Sequence, residues 1–203
     1  MAARSYNLDA LLPGIIASVQ GDQSCQQFST LSDNEVTPHV AEVFASAKAA
    51  MGKVPNLYRI LAHAPAALDV YTGSKGYLRD GVLSPAAQEQ IAIAIATANG
   101  CDYCLAAHTG GARAAGVGAE DRASAQKGQA SDPKIQAILE LALAINATHG
   151  QGATPALEAA RAYGLTDVEI LETIAHVAVN ILTNSVNNTV GTILDFPKVE
   201  RVA

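Results

Sequence analysis

The chain has 203 residues, which is enough for one large domain or two small ones. Apolar residues make up 49% of it and charged residues only 16%, so the sequence can build a buried core and is not that of a disordered protein. The formal net charge is −6, the basic residues are scattered and Trp is missing, which excludes the basic, aromatic surface that binds nucleic acid.

Three features of the sequence indicate the cellular compartment of the protein. The opening segment contains a short apolar run that Asp9 and Pro13 interrupt, which is not the pattern of a secretory signal. No apolar stretch approaches the roughly 18 residues that a membrane span needs. The three cysteines do not form a disulfide framework, and two of them lie three positions apart. We therefore expect a cytoplasmic protein with a reactive or metal-binding cysteine pair and no membrane partner.

Helical signals run through nearly the whole chain, which predicts an all-α fold. Residues 1–30 are the least regular part and are interpreted as an N-terminal arm with one short helix near 8–19. Residues 31–203 are interpreted as one helical domain, since no linker interrupts them. Caps, prolines and glycines predict its helices at 32–51, 56–63, 65–80, 85–98, 101–115, 133–149, 154–163 and 167–193.

The segment from Glu89 to Ala98 is apolar on every side, which is typical of a buried central helix. It also alternates like a strand, but the helix formers before it and Asn99-Gly100 after it favour a helix. The capped start at Ser84 recurs at Thr166, which is compatible with an internal duplication of helical units.

Three chemically active side chains follow the central helix. Cys101, Cys104 and His108 share one helix face, because each residue of a helix advances by about 100°. Both cysteines fall in the first turn, where unpaired N–H groups and the helix dipole favour an anion. Such a setting lowers the pKa of a thiol and produces the reactive thiolate. One interpretation is a redox pair, in which one thiolate becomes a sulfenic acid and the other thiol closes a disulfide.

Other interpretations of these residues stay open. The cysteines would be small buried hydrophobes beside a surface histidine, or Cys101, Cys104 and His108 would bind zinc with Glu89 as fourth ligand. Glu89 fits a carboxyl of raised pKa that takes the Cys104 proton, and it equally fits a solvated residue of a first helical turn. Haem attachment is excluded, because Leu105 rather than His follows the second cysteine.

The remaining polar residues carry weaker signals. Cys25 lies in the arm and is interpreted as a bystander. The other histidines have no partner pattern and are interpreted as surface or satisfied core residues: His39, His63, His149 and His176. Asparagines of the last helix are expected to bond between helices or subunits: Asn184, Asn187 and Asn188.

Glu89 followed by Cys101-x-x-Cys104-x-x-x-His108 resembles the motif of alkylhydroperoxidase D and the carboxymuconolactone decarboxylase superfamily. Flanking segments resemble its peroxidase-related branch: VPNLY at 54–58, APAAL at 64–68, LSP at 83–85 and DFP at 195–197. The likeness covers about residues 30–197. It implies an alkylhydroperoxidase D-like helical fold, assembly as a homotrimer or homohexamer, and reduction of a peroxide at the expense of a thiol or dithiol reductant. We expect no cofactor and no bound metal.

The resemblance also implies roles for single residues. Cys104 would be the deeper thiol that attacks the peroxide, Cys101 the more exposed thiol that resolves, and Glu89 with His108 the proton relay. Tyr103 is a departure, because alkylhydroperoxidase D carries His at this position. Two alternatives remain: a helical module that binds zinc or senses oxidants, and a lyase of the decarboxylase type, which the cysteine pair disfavours.

Overall fold

The structure is a computed structural model that describes residues 26–202, and this part of the chain is helical without any strand. Its helices are α1 Pro38–Met51, α2 Asn56–Leu61, α3 Pro65–Arg79, α4 Pro85–Ala98, α5 Asp102–Ala114, α6 Ala119–Ala125, α7 Pro133–Thr148, α8 Thr154–Tyr163 and α9 Asp167–Val190. The all-α fold predicted from the sequence is confirmed. The helix predicted near 8–19 and Cys25 lie outside the described residues. None of the helices found at 26–202 is both long and apolar enough to cross a bilayer.

The predicted helix starts are mostly correct because capping side chains and prolines act locally. At α4, Ser84 accepts a bond from the backbone of Ala87, and Pro85 follows it as the first helical residue. At α9, Thr166 and Glu169 form both bonds of a capping box. The end of α9 was predicted too late, at residue 193. Gly191 adopts a left-handed conformation, with φ 64°, and ends the helix at Val190.

The predicted start of α1 at residue 32 is wrong. Only half of the expected capping box forms: the Ser32 amide donates to the Glu35 carboxylate at 2.8 Å, but the Glu35 amide bonds to the Ser32 carbonyl instead of its hydroxyl, and no helix follows. Thr37 precedes Pro38, and a residue before proline avoids the helical conformation. The helix therefore begins at Pro38, with Thr37 as its cap. The sequence interpretation also missed α6, a single short helix that lies between Gly118 and Gly128 and has little apolar periodicity.

The central helix was predicted correctly. Ile91, Ile93 and Ile95 of α4 are fully buried, and α4 packs against α5, α7 and α9. Burial on all sides explains why α4 is apolar around its whole circumference. The two segments that suggested a duplication share a capped start but then differ: the first is divided at Gly100 into α4 and α5, whereas the second is the single helix α9.

The first half of α9 leaves large apolar side chains exposed. Val168 and Leu171 have exposed fractions of 53% and 64%, and Ile174 has 42%. Val82 lies beside them, because its amide bonds to the Glu172 carboxylate, and it is also exposed. A patch of this kind is typical of a surface between protein subunits.

We therefore predict that the protein is a homo-oligomer and that Leu171→Asp shifts it toward the monomer, because a charge in a contact face opposes association. Light scattering at micromolar concentration measures this. Ile193→Asp is the matched control, since Ile193 is similarly exposed, at 55%, but lies beyond α9. A wild-type protein of 20.9 kDa in solution would contradict the prediction.

Candidate active site

The turn between α4 and α5 positions the cysteine pair. Gly100 has a φ of 66°, a conformation that glycine adopts without strain, and it lets α5 fold back along α4. Cys101 is the N-cap of α5, and its Sγ accepts a bond of 3.4 Å from the amide of Cys104. The helix thus begins at Asp102 rather than at Cys101, and both sulfurs lie at its N-terminus as the sequence predicted.

Both thiols are buried, which corrects the expectation that Cys101 is the more exposed one. Cys101 is 1% exposed and Cys104 is 2% exposed. The C-terminal segment bonds to the residues on either side of Cys101: the Arg201 guanidinium donates to the carbonyl of Gly100 and to the carboxylate of Asp102, both at 2.7 Å. The two thiols differ in another way, since Cys104 lines a cavity of about 410 Å³ and Cys101 does not.

His108 and Glu89 form an ion pair at the wall of this cavity. His108 lies one turn beyond Cys104 on α5, and its Nδ1 is 2.8 Å from the Glu89 carboxylate on α4. A Cβ atom at Gly111 would lie 2.6 Å from that carboxylate, so only glycine at this position admits it. Burial alone would lower the pKa of His108, but the charge and hydrogen bond of Glu89 and the charge of Cys104 raise it. The contact with Glu89 therefore favours the protonated form of His108.

The surroundings of Cys104 favour its thiolate. The pKa of Cys104 is lowered to about 6, first by the hydrogen bond from Cys101, and then by the charge of His108 and the amide of Asn187, against the opposing effect of burial. The Asn187 Nδ2 is 3.2 Å from the sulfur. The pKa of Cys101 is raised, chiefly because its thiol donates to Cys104 and because it is buried. Cys104 is therefore the ionised member of the pair and Cys101 the protonated one.

Two residues near the sulfur were not predicted as part of the site. Thr183 and Asn187 come from α9, and the Thr183 hydroxyl is 3.8 Å from the Cys104 sulfur. Asn184 and Asn188 bond to Asn99 at the end of α4, so the expectation that the asparagines join helices is confirmed. The one signal in the sequence was the i, i+4 spacing of two polar residues on an apolar helix, which does not identify their partner.

Tyr103 is the residue that departs from the alkylhydroperoxidase D motif, and its hydroxyl joins two segments of the fold. Its hydroxyl donates to the Asp195 carboxylate at 2.7 Å and accepts from the amide of Leu57 at 3.1 Å. Asp195 also pairs with Lys53 and accepts from the amide of Asn56. The flanking motifs VPNLY and DFP therefore meet at Tyr103. No hydrogen bond joins Tyr103 to His108 or Glu89 within the described part of the chain.

The other histidines are placed mostly as expected. His39 pairs with Asp69 and His63 bonds to the carbonyl of Ser29, both at the surface. His176 is the exception, because it is buried and its Nε2 has no hydrogen-bond partner in the described chain. Burial lowers the pKa of His176, which therefore stays neutral. The expectation of a surface or satisfied His176 was wrong.

The zinc interpretation gains no support from the geometry. Within residues 26–202, no three His, Cys, Asp or Glu side chains are arranged to hold a metal ion. His108 instead directs its Nδ1 to Glu89, and the Cys101 thiol donates to Cys104.

Comparison with known proteins agrees with the motif. Residues 65–146 match the model of the Carboxymuconolactone decarboxylase family. Among curated proteins none matches the chain. A solved structure from Ralstonia eutropha JMP134, described as an alkylhydroperoxidase AhpD core and an uncharacterized peroxidase-related protein, has a TM-score of 0.76 and 24% identity. The alignment with it covers 83% of this chain and 92% of that one.

A second solved structure, an uncharacterized peroxidase-related protein from Silicibacter sp. TM1040, has a TM-score of 0.71 and 19% identity. This alignment covers 85% of this chain and 95% of that one. The fold is therefore the all-helical fold of the alkylhydroperoxidase AhpD core. The family match and this fold confirm the resemblance to the carboxymuconolactone decarboxylase superfamily that Glu89 and the CxxCxxxH motif indicated.

We predict that Asn187→Ala raises the pKa of Cys104, because the variant removes an N–H donor to the thiolate. Alkylation followed against pH, with the modified cysteine identified by mass spectrometry, measures the change. Asn188→Ala is the control, since Asn188 bonds to a backbone carbonyl instead. Identical Cys104 titrations in wild type and Asn187→Ala would exclude this role for the amide.

We predict that Tyr103→Phe lowers the free energy of unfolding by about 1–3 kcal/mol, because it leaves the Leu57 amide and the Asp195 carboxylate without their shared partner. Denaturant unfolding measures this. Tyr77→Phe, at a side chain that is 85% exposed, should change stability by less than about 0.5 kcal/mol. Equal stabilities of the two variants would contradict the anchoring role of Tyr103.

Proposed function

We propose that the protein is a thiol-dependent peroxidase that reduces a hydroperoxide through Cys104 and Cys101. The observation that carries the proposal is the position of Cys104, a buried sulfur of lowered pKa at the wall of a cavity that His108 also lines. The shared fold with peroxidase-related proteins supports the same conclusion.

In the first step, the Cys104 sulfur attacks the terminal oxygen of the hydroperoxide. The O–O bond breaks, Cys104 becomes a sulfenic acid and the peroxide leaves as an alkoxide, which needs a proton to become an alcohol. His108 supplies that proton, since it is charged and lines the same cavity. Glu89 holds the ring through Nδ1, which leaves Nε2 as the proton donor.

In the second step, the Cys101 sulfur attacks the Cys104 sulfenic acid, an S–S bond forms and water leaves. The order of the steps follows from the electrostatics. The main cause that raises the pKa of Cys101 is its hydrogen bond to the Cys104 thiolate, and that thiolate no longer exists after oxidation. Cys101 therefore ionises more easily once Cys104 has reacted. A thiol or dithiol reductant then returns the disulfide to two thiols.

A lyase reaction of the carboxymuconolactone decarboxylase type is the second candidate, because residues 65–146 match that family. The two candidates differ in their need for sulfur. Turnover of a lactone by a protein with both Cys101 and Cys104 replaced by Ser would favour the lyase, and loss of peroxide consumption in that variant would favour the peroxidase.

We predict that one equivalent of hydroperoxide converts Cys101 and Cys104 to an intramolecular disulfide, and that Cys101→Ser accumulates a sulfenic acid at Cys104. Peptide mapping and a sulfenic-acid trap measure both species. Cys104→Ser is the control and should trap no sulfenic acid at Cys101, whose sulfur is buried and lies outside the cavity. A trap confined to Cys101, or a dominant cross-link through Cys25, would contradict the assignment.

We predict that Glu89→Gln slows the reaction of Cys104 with hydroperoxide at least about tenfold near neutral pH. Glutamine carries no charge, so the pKa of His108 falls, the proton donor is lost and the pKa of Cys104 rises. The rate should therefore increase further at high pH, where solvent ionises the thiol. Stopped-flow measurement across pH tests this, with the exposed Glu158→Gln as the control. Wild-type rates in Glu89→Gln would leave His108 to act without Glu89.

A further inference from the structure

A positively charged side chain also lines the cavity that contains Cys104. Lys75 comes from α3 and lines the same cavity as Cys104 and His108. Its side chain is exposed at the edge of the cavity, and its ammonium lies 5.9 Å from the centroid of the Tyr71 ring, which also lines the cavity. Among the ion pairs of the described chain, none involves Lys75.

The catalytic groups do not form an ion pair with Lys75. Glu89 is the acidic residue of this cavity, and its carboxylate is bound to His108. The Lys75 charge slightly opposes the protonation of His108, and it is not among the main causes that set the pKa of Cys104. Because the Glu89 carboxylate is already bound to His108, the Lys75 ammonium is available to an anion that enters the cavity.

The rest of the cavity wall is largely apolar and favours a ligand with a hydrocarbon chain. Met51, Leu57, Tyr58 and Phe196 supply much of it, and the volume of about 410 Å³ lies in the range of sites for small organic ligands. Hydrogen peroxide needs far less space and gains nothing from such a surface. The exposed Lys75 ammonium has no ion-pair partner among the described residues, so an anionic ligand in this apolar cavity can form a charge-assisted hydrogen bond with it.

We propose that Lys75 binds the carboxylate of the substrate, and that the preferred peroxide is a carboxylic acid with a hydrocarbon body and a hydroperoxy group. The hydrocarbon lies along the apolar wall, the carboxylate bonds to the Lys75 ammonium and the hydroperoxy group meets Cys104. This substrate class rests on the proposed peroxidase function, whereas the carboxylate site itself does not require any reaction.

Ligand binding without chemistry tests the site first. Octanoate and octanamide have the same length and differ in charge, and their affinities for the reduced protein are measured by calorimetry or by chemical-shift titration. Wild type should bind octanoate about tenfold more tightly than octanamide. Lys75→Met should abolish this preference, Lys75→Arg should retain it, and the exposed Lys127→Met serves as the matched control that keeps it.

Turnover then tests the substrate class. The ratio of kcat/KM for a fatty-acid hydroperoxide to that for its methyl ester should exceed one in wild type and in Lys127→Met, and should fall about tenfold in Lys75→Met. Equal affinities of wild type for octanoate and octanamide would overturn the proposal while leaving the peroxidase function untouched. A preference for octanoate without any reduction of either peroxide would instead refute the peroxidase function and keep the carboxylate site.

Discussion

The ion pair between His108 and Glu89 is the contact on which the site depends. It joins α5 to α4 and places a positive charge beside a buried sulfur, where burial alone would keep the thiol protonated. The ion pair also depends on the glycine at position 111, because a side chain there would occupy the position of the Glu89 carboxylate. One glycine, one carboxylate and one imidazole on two packed helices thus add to the Cys101 hydrogen bond, which is the largest cause that lowers the pKa of Cys104.

The long helix α9 completes the stabilisation of the thiolate from the opposite side. A negative sulfur in an apolar interior needs hydrogen-bond donors as well as a counter-ion, and α9 presents the amide of Asn187 to it. Buried polar groups on an otherwise apolar helix are costly unless they have partners. Asn187 meets this condition through its Nδ2, which donates to Cys104, and Asn184 through its Oδ1, which accepts from Asn99. The second amide atom of each, Asn187 Oδ1 and Asn184 Nδ2, is buried without a partner among the described residues.

The sequence predicted those parts of the molecule that local chemistry controls. Helix starts such as Ser84 and Thr166 follow from a cap and its neighbours, and the common face of Cys101, Cys104 and His108 follows from helix geometry. The contact of His108 with Glu89 was predicted only through the resemblance to a family, because it spans two helices.

Contacts between residues that are distant in the sequence could not be predicted in this way. Arg201 bonds to the carbonyl of Gly100 beside Cys101 although it is about a hundred positions distant in the chain, and Asn187, a donor to Cys104, comes from α9. Lys75 carried no signal at all, since a lone lysine in an amphipathic helix looks like any solvated residue. The capping box predicted at Ser32 forms only in part, through the Glu35 carboxylate, and Pro38 with its cap Thr37 fixes the start of α1.

The ionisation of Cys104 in the reduced wild-type protein tests the central claim most directly. The fraction of Cys104 that is alkylated in a short pulse, resolved from Cys101 and Cys25 by mass spectrometry, gives the titration of this one sulfur. The account predicts a midpoint near pH 6, with Cys101 still protonated there, because the Cys101 thiol, His108 and Asn187 all favour the Cys104 thiolate. A midpoint at or above about 8.5, the value of a free cysteine, would contradict it.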